Sequence, residues 1–509
     1  MSAAAAAPAN PDWNAAAFAS EALIHETTSL CRQCKHALTA RVVELDGEVW
    51  MTKSCPTHGP ATVKLSTSAA WYRETRAVVP RLQPPPRAPK PIEHGCPFDC
   101  GACAAHQARI RLPVVTITSA CNLDCPICYV HNKNDDAYNM SRDDFAAVLD
   151  QLVEQQRELD IINITGGEPL MHPEILDFIE MAHARGIHRV SVCSNGLKLA
   201  KNEALVERLG QLGARIALSF DSFDTDADFL LQGAHLIKVK QQVLDLLDKH
   251  HVDCTLIPVM TKGVNDHEIG RIISYAMARS CVRHLEIHTI TYTGQGGVSF
   301  DRSGRISIYE VLQQIEATTN GMLTVADFVP SPQAHPLCYQ VAYLLCDPED
   351  PSEQPISITR LISREELYDC LSERLYLEPS PRLESALQDA INRLWSADDE
   401  EPGRERTLQL LKRMLGELFP QDRVLTPEQA LRVSERWAKA VYLHSHMDED
   451  TFDVERAAQC CDSNCYADGS TIPVCNYNVL QRETEEHFMM KPVVRTPRTG
   501  GKRLPVVQR

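Results

Sequence analysis

Apolar and polar residues follow two alternating patterns between residues 113 and about 300. Six short runs, two of them taken with their exit loops, have the composition of buried strands: 113–118, 161–164, 190–196, 216–222, 254–259 and 284–290. The segments between them carry apolar residues at helical spacing, and Phe145, Val148, Leu149 and Leu152 are one such series. Strands that alternate with helices predict parallel pairing with right-handed crossovers. The pattern therefore predicts an α/β fold in which six units form a partial (β/α)6 barrel.

Helix-start signals extend the prediction to both sides of residue 300. Ser141 is an N-terminal capping residue for the helix after the first strand, and a further helix is expected near residue 173. Ser363 begins a capping box, and Thr426 is an N-cap followed by proline at the first helical position. Residues 360–443 therefore look helical and are expected to cover the core without chemistry of their own, after a loop-rich segment at 335–346.

These patterns and the spacing of the cysteines divide the chain into seven parts. They are a disordered lead (1–27), a metal-binding knuckle (28–79), a proline-rich linker with a cysteine motif (80–112), the α/β core (113–300), a mostly helical covering region (301–450), a cysteine-rich segment (451–485) and a tail (486–509).

Composition narrows the class of protein. A chain of 509 residues is too long for one compact core. The net charge of -17 argues against a nucleic-acid partner, because phosphate binding needs concentrated Lys and Arg. The nineteen cysteines form spaced clusters, and we find neither a signal peptide nor an apolar run as long as a membrane span. The expectation is a cytoplasmic metalloprotein.

Three of the cysteines, Cys121, Cys125 and Cys128, directly follow the first predicted strand. Thiolates are the usual ligands of iron–sulfur clusters, which normally take four of them. Three thiols with no obvious fourth would leave one iron open, and an open position on a metal centre is where chemistry happens.

The second predicted strand leads into Thr165, Gly166, Gly167, Glu168 and Pro169. Two glycines allow a backbone to approach a ligand closely, and a proline stops further strand pairing. This segment is therefore a second candidate for the same site.

Together the two motifs resemble the radical S-adenosylmethionine (radical SAM) superfamily, with one departure at Ile127, where an aromatic residue is common. The resemblance implies a 4Fe–4S cluster whose open iron chelates the methionine end of SAM beside the Gly-Gly-Glu-Pro segment. Reduction by a low-potential donor of flavodoxin or ferredoxin type would cleave SAM to a 5′-deoxyadenosyl radical. By the same resemblance, polar residues at strand exits would hold the ribose and carboxylate of SAM; the alternative role is loop capping. These residues are Ser194, Asn195, Ser219 and Asp221.

The N-terminal knuckle has the ligands of a tetrahedral metal site. A hairpin predicted from the Asp46-Gly47 turn would bring two pairs of ligands together. The pairs are Cys31 with Cys34 and Cys55 with His58. The histidine favours zinc, iron remains open, and the alternative is paired thiols without a metal.

Further thiols suggest one or two auxiliary 4Fe–4S clusters. Cys96, Cys100 and Cys103 repeat the spacing of the first motif but follow prolines rather than a strand, so they are expected to hold an auxiliary cluster or, alternatively, structural zinc. The remaining candidates are Cys338, Cys346, Cys460, Cys461, Cys465 and Cys475, one of which would be spare. Cys193, Cys254 and Cys281 stand singly on or near strands and are expected to pack as small apolar residues.

The chain from about residue 28 to 482 also resembles one subgroup, that of the archaeal tetraether lipid synthases and dihydropterin methylases. Besides the knuckle, the resemblance rests on 94–101, 263–270, 291–294, 335–338 and the C-terminal cysteines with 475–478. It implies C–C bond formation or methyl(ene) transfer on a lipid or a small heterocycle. A lipid substrate would allow peripheral membrane contact. The alternatives are a radical SAM maturase of a ribosomal peptide and a non-catalytic iron–sulfur electron carrier.

Overall fold

The computed structural model describes residues 22–86, 91–100, 103–130, 137–156, 159, 161–372, 374–396 and 403–482. Residues 1–21 of the predicted lead and the predicted tail lie outside these ranges. Within them, no helix is both long and apolar enough to cross a lipid bilayer.

The N-terminal unit is an antiparallel sheet in strand order β1-β2-β3-β4, followed by helix α1. Its elements are β1 (Ala22–Leu30), β2 (Ala37–Leu45), β3 (Glu48–Cys55), β4 (Gly59–Ser66) and α1 (Ala69–Ala77). The turn between β2 and β3 places Asp46 and Gly47 at φ 51° and 80°, as a tight hairpin turn of this kind requires. The predicted hairpin is therefore confirmed. The predicted boundary at residue 28 is wrong, because Ala22 already pairs with Glu44.

The core contains the six parallel strands that the pattern predicts. Its elements are β5 (Leu112–Thr118), α2 (Arg142–Gln155), β6 (Ile161–Gly166), α3 (Ile175–His183), β7 (Arg189–Ser194), α4 (Leu197–Ala200), α5 (Glu203–Leu212), β8 (Arg215–Ser219), α6 (Thr225–Gln232), α7 (Ile237–Lys249), β9 (Asp253–Ile257), β10 (Val259–Met260), α8 (Ile269–Ala278) and β11 (Val282–Thr289). The strand order β5-β6-β7-β8-β9-β11 confirms the partial (β/α)6 barrel. The capping prediction at Ser141 also holds, since its side chain accepts from the Asp144 amide at the start of α2.

The C-terminal third adds both helices and strands. Its elements are α9 (Gly294–Ser299), α10 (Ile308–Thr318), β12 (Val329–Pro330), β13 (Tyr339–Leu345), β14 (Ile356–Ser357), α11 (Arg364–Cys370), α12 (Pro381–Ser396), α13 (Arg404–Leu418), α14 (Pro427–Trp437), β15 (Ala438–His444), α15 (Val454–Ala458), β16 (Asp462–Cys465), β17 (Thr471–Pro473) and α16 (Val474–Asn476), with a π-helical turn at Tyr477–Gln481. The capping boxes predicted at Ser363 and Thr426 are both present.

Two strands in this third correct the prediction of a covering region. β15 pairs with β11 in parallel and β13 pairs with β15, so both extend the barrel sheet instead of covering it. Every residue of both strands is buried. Short apolar runs of this kind do not distinguish a buried strand from a buried helix by periodicity, which explains the error.

The opposite edge of the sheet is extended by β16, which pairs in parallel with β5. The Tyr339 hydroxyl on β13 donates to the Asp462 carboxylate on β16, so a side-chain hydrogen bond links the two extensions. The C-terminal segment therefore closes the gap that six strands leave in the barrel wall.

A buried ion-pair network joins the helices to the amino ends of the core strands. Glu435 on α14 lies 2.7 Å from Arg215 on β8, and Arg189 on β7 lies 3.7 Å from the same carboxylate. Burial opposes ionisation of Glu435, but the two guanidinium groups outweigh it and lower the pKa of Glu435 to about 2. Glu435 is therefore ionised and anchors α14 to the barrel.

We expect Glu435→Gln to lower the free energy of unfolding by roughly 3–5 kcal/mol, because it leaves two buried guanidinium groups without their shared counter-charge. Glu417→Gln is the matched control, since Glu417 pairs with Arg436 on the surface and should change stability by less than about 1 kcal/mol. Urea unfolding followed by circular dichroism measures both.

The same network predicts the pH dependence of stability. The pKa of Glu435 is depressed below its ordinary value of 4.5, so its contribution is present above that pH and is lost as the pH falls towards 2. At neutral pH, equal urea midpoints for the Glu435→Gln and Glu417→Gln variants would contradict the role of Glu435 as an anchor of α14.

Candidate active site

The three thiols of the first cysteine motif meet at the carboxyl end of β5. Cys121, Cys125 and Cys128 all line one cavity of about 300 Å³. Burial raises the pKa of Cys121 to about 12 and raises that of Cys125 further, and the nearby Cys128 adds to both shifts. Thiols with such pKa values are protonated until a metal displaces the proton, so metal binding here is coupled to proton release.

The glycine segment lies directly against this cysteine loop. A Cβ atom on Gly167 would stand 2.2 Å from the Ala120 carbonyl oxygen, and one on Gly166 would stand 2.1 Å from that of Thr118. The Gly167 amide donates to Thr118 O at 2.9 Å, and the Glu168 amide donates to Ala120 O at 2.7 Å. Only glycines permit this approach, which fixes the cysteine loop to the exit of β6.

Glu168 connects the exits of β6 and β7 and is fully buried. Its carboxylate accepts from the amides of Asn195, at 2.7 Å, and Leu170, at 3.2 Å. Burial raises the pKa of Glu168 to about 7 despite these hydrogen bonds. Gly166 and Gly167 line the cavity, whereas Glu168 lies behind its wall and also accepts a hydrogen bond from the side chain of Ser194, which does line the cavity. Pro169 is buried and begins a short 3-10 turn behind that wall.

The four polar residues predicted at strand exits, Ser194, Asn195, Ser219 and Asp221, all line the same cavity. The buried Lys240 ammonium donates to Ser219 Oγ at 2.9 Å. The Asp221 carboxylate accepts from the Val259 amide at 2.8 Å and from the Gln232 side chain. Burial raises the pKa of Asp221, and the charge of Lys240 opposes that shift. These hydrogen bonds hold the side chains of Ser219 and Asp221 in place in the cavity wall.

The other half of the cavity was not predicted from the sequence. Strands β11 and β16 and the carboxyl end of β15 each contribute a pair of polar residues two positions apart, a spacing that directs both side chains to one face of a strand. The pairs are Glu286 with His288, His444 with His446, and Asp462 with Asn464. A polar pair at this spacing in an apolar strand is a signal that could have identified them. Cys193 also lines the cavity and donates to Asn163 Oδ1 at 3.2 Å, so it is not simply a core residue.

The auxiliary thiols fall into two groups. In the first, Cys96 lies within electrostatic range of Cys100 and Cys103, and burial is the main cause of its raised pKa of about 12. In the second, the electrostatic neighbours of Cys460 include Cys475 and Cys338.

Side chains donate hydrogen bonds to sulfurs in both groups. Asn476 Nδ2 lies 3.0 Å from Cys100 Sγ, and Arg456 Nε lies 3.3 Å from Cys338 Sγ. Donors of this kind stabilise thiolates. They fit the negative charge that cluster ligands carry.

The other three candidates differ in their surroundings. Cys461 is buried next to the second group, and its thiol lies 3.4 Å from an oxygen of the Asp462 carboxylate. Cys465 and Cys346 lie in the main apolar core, where their thiols donate to the carbonyls of Ser463 and Leu344. The structure thus places Cys465, expected as a ligand, among apolar side chains.

The knuckle brings its four predicted ligands together. The ligand atoms of Cys31, Cys34, Cys55 and His58 all lie within 4.8 Å of one another. The Cys34 and Cys55 sulfurs are 3.8 Å apart, and a tetrahedral site with metal–sulfur bonds of about 2.3 Å separates its sulfurs by about 3.8 Å. The donor set fits a tetrahedral zinc or iron ion.

The knuckle also supports the wall of the cavity. The buried Lys53 ammonium on β3 donates to the carbonyls of Glu449, at 2.7 Å, and Asp450, at 2.9 Å. From the other side, Arg302 holds the Asp450 carboxylate at 2.7 Å. The loop that follows β15 and carries His446 is therefore clamped between the knuckle and the segment after α9.

Comparisons with known proteins agree with this geometry. Residues 115–276 match the Radical SAM superfamily, and residues 23–67 match the HMPTM N-terminal zinc ribbon domain. A 7,8-dihydro-6-hydroxymethylpterin dimethyltransferase of Methanocaldococcus jannaschii is 28% identical over 91% of this chain and 95% of its own. A GTP 3′,8-cyclase of Alkaliphilus oremlandii is 27% identical over 38% of this chain and 61% of its own.

Among solved structures, a radical SAM methyltransferase from Sphaerobacter thermophilus aligns with a TM-score of 0.30 and 14% identity, over 56% of this chain and 74% of its own. The family matches make residues 115–276 a radical SAM domain and the knuckle a zinc ribbon. The chain therefore contains a radical SAM domain, which makes it an S-adenosylmethionine-dependent enzyme and implies a 4Fe–4S cluster and SAM.

We expect Gly167→Ala to abolish SAM cleavage, because the new Cβ would overlap the Ala120 carbonyl and displace the adjoining cysteine loop. Gly416→Ala is the control, since Gly416 lies within helix α13 with open space around it. Release of 5′-deoxyadenosine from SAM and dithionite measures the effect. Full release by the Gly167 variant would show that the close approach is not needed.

Proposed function

We propose that this radical SAM enzyme transfers a one-carbon group from a donor, either the sulfonium methyl group of SAM or an N-methylene carrier, to a carbon atom of a small nitrogen heterocycle of the pterin type, where a C–C bond replaces a C–H bond. The observation that carries the proposal is the polar second half of the cavity, and within it the side-chain amide of Asn464. Asn464 Nδ2 is buried in the cavity wall and has no hydrogen-bond partner among the described residues. A buried donor without a partner is costly, so this one is expected to meet an acceptor on the substrate.

The position of Asn464 follows from strand register. It pairs with Val114 on β5, and Val114 pairs with Asn163 on β6, so three neighbouring side chains face the cavity. The two amides can donate to and accept from the edge of a heterocycle. Asp462, two residues before Asn464, adds a carboxyl group whose pKa burial raises to about 6. Such a wall suits ring nitrogens and exocyclic oxygen or amino groups.

The size of the cavity favours a small substrate over a lipid. A volume of about 300 Å³, which the substrate would share with SAM, is at the lower end for small-molecule sites. Joining two lipid chains would need a long apolar channel. The similarity to the pterin dimethyltransferase, which extends over nearly the whole of both chains, supports the same choice.

In the half of the cavity that contains the cysteine loop, which we assign to SAM, the residues have separate roles. We assign Cys121, Cys125 and Cys128 to the cluster, and the backbone at Gly166 and Gly167 to the methionine end of SAM. A 4Fe–4S cluster and SAM bound there would supply the chemistry of a 5′-deoxyadenosyl radical, that is, removal of a hydrogen atom from a bound substrate. Four polar residues would orient SAM by hydrogen bonds, and they line the cavity wall between the cysteines and β9. They are Ser194, Asn195, Ser219 and Asp221.

The two further thiol groups are proposed to hold auxiliary iron–sulfur clusters. Cys96, Cys100 and Cys103 form one group. Cys338, Cys460 and Cys475, with Cys461 beside them, form the other. A low-potential flavodoxin or ferredoxin is the expected reductant.

We expect the combined change of Cys121, Cys125 and Cys128 to Ala to abolish 5′-deoxyadenosine release, since the cluster loses its three ligands. Cys370→Ala is the control because Cys370 is a single, half-buried cysteine on α11. The assay uses anaerobically reconstituted protein with dithionite and SAM. Retained release in the triple variant would refute the assignment of the cluster.

We expect Asn464→Leu to lower kcat/KM for 7,8-dihydro-6-hydroxymethylpterin by roughly ten- to a hundredfold, because a group on the substrate loses its buried partner. Mass spectrometry would follow a product heavier by one CH2 unit per transfer. Asn392→Leu, at an exposed position on α12, is the control.

Substrate-independent release of 5′-deoxyadenosine reports separately on the SAM half of the Asn464 variant. If the unaltered protein releases 5′-deoxyadenosine but does not alkylate the pterin with either class of one-carbon donor supplied, the substrate class is wrong. Equal kcat/KM for the Asn464 and Asn392 variants would remove Asn464 from substrate binding.

A further inference from the structure

Three imidazoles converge where β11 and β15 end. His288 on β11 is the register partner of His444 on β15, and His446 follows two residues later. Adjacent parallel strands in register direct paired side chains to the same face, which here is the inside of the barrel. The ring centroids of His444 and His446 are 4.1 Å apart, and those of His288 and His446 are 5.2 Å apart.

The ring nitrogens have the spacing of potential metal ligands. One nitrogen from each of the three histidines lies within 4.8 Å of the other two. A tetrahedral zinc ion with Zn–N bonds of about 2.0–2.1 Å brings its nitrogens to about 3.4 Å from one another. The three nitrogens therefore lie at most about 1.4 Å farther apart than a bound zinc ion would place them.

A carboxylate supports two of the rings. Glu286 Oε1 lies 3.0 Å from His288 Nε2 and 3.9 Å from His444 Nδ1. Carboxylates that hydrogen-bond to histidine ligands orient the imidazole and raise its basicity at many metal sites.

Two further side chains, Tyr339 and Arg456, lie near the histidine rings and affect how a cation could bind there. The Tyr339 ring stacks on His444 at 3.7 Å, which fixes the plane of that ring. The positive charge of Arg456 faces His444 and His446, but its guanidinium donates to Cys338 Sγ and to the Ser445 carbonyl.

We propose that His288, His444 and His446 bind one divalent metal ion of the zinc type in the cavity wall, with Glu286 as the supporting carboxylate. Three imidazoles and an open position are a donor set found at catalytic rather than structural zinc sites. The open position faces the cavity and would take an oxygen or nitrogen atom of the substrate. Only this last role rests on the function proposed above, because metal binding needs no substrate.

The experiment is a zinc titration of the cluster-loaded protein whose zinc ribbon is already filled, monitored by calorimetry without SAM or substrate. The unaltered protein is expected to bind one more equivalent of zinc than either His288→Gln or His444→Gln. His267→Gln changes an exposed histidine outside the cavity and should match the unaltered protein. His446 is left unchanged because its Nδ1 lies 3.7 Å from Cys475 Sγ.

A second variant separates a built site from loose binding. The Glu286→Gln variant should still bind the additional equivalent of zinc, but with a Kd raised about ten- to a hundredfold, because the histidine rings lose their supporting carboxylate. X-ray absorption at the zinc edge should show less imidazole scattering in the His288 and His444 variants. Iron content and circular dichroism, measured on every variant, identify one that has lost its clusters or fold.

Equal zinc stoichiometry in the unaltered protein and both histidine variants would overturn the proposal. Loss of the extra equivalent in His267→Gln as well would mean adventitious binding and would overturn it too. Both outcomes leave 5′-deoxyadenosine release untouched as a measure of the radical SAM site. Failure of the metal site is therefore distinguishable from failure of the proposed function.

Discussion

The contact between two backbone segments at the carboxyl ends of β5 and β6 governs the rest of the site. Gly166 and Gly167 lie so close to the carbonyls of Thr118 and Ala120 that no side chain fits between them. The cysteine loop begins immediately after this contact, and hydrogen bonds from Gly167 and Glu168 hold it there. Because this contact ties the loop to the sheet, it fixes where the three thiols that we propose as cluster ligands stand. Pre-organisation of this kind is what cluster and cofactor binding require.

The barrel reaches its final shape only through the C-terminal third of the chain. β15 joins one edge of the six-stranded sheet and β16 joins the other, and the Tyr339–Asp462 hydrogen bond connects the two extensions. The strands that close the wall also provide the polar residues of the second half of the cavity. The same polypeptide segment therefore completes the barrel wall and lines the half of the cavity in which we propose that the substrate binds. The zinc ribbon contributes at a distance, since Lys53 holds the loop that carries His446.

The two halves of the cavity differ in how far the sequence could predict them. Cys121, Cys125 and Cys128 are close in sequence and stand beside a strong strand signal, so their convergence could be inferred directly. His288 and His444 are far apart in the sequence. They meet only because β11 and β15 are neighbouring strands in register. The apolar run at 438–444 is compatible with helix and strand alike, so nothing local identified it as a barrel strand.

The sequence by itself determined the six-strand core, the helix caps, the cysteine loop with its glycine partner, and the four ligands of the zinc ribbon. Each depends on local spacing, because periodicity, capping and short ligand motifs act over a few residues. Tertiary structure alone decided that β13 and β15 enter the sheet, that Cys465 is a core residue, and that Glu286, Asn464 and the three histidines share one cavity. Those outcomes depend on which distant strands pair and in what register. Pairing of distant strands is decided by the free energy of burying whole strands against one another, which no short segment encodes.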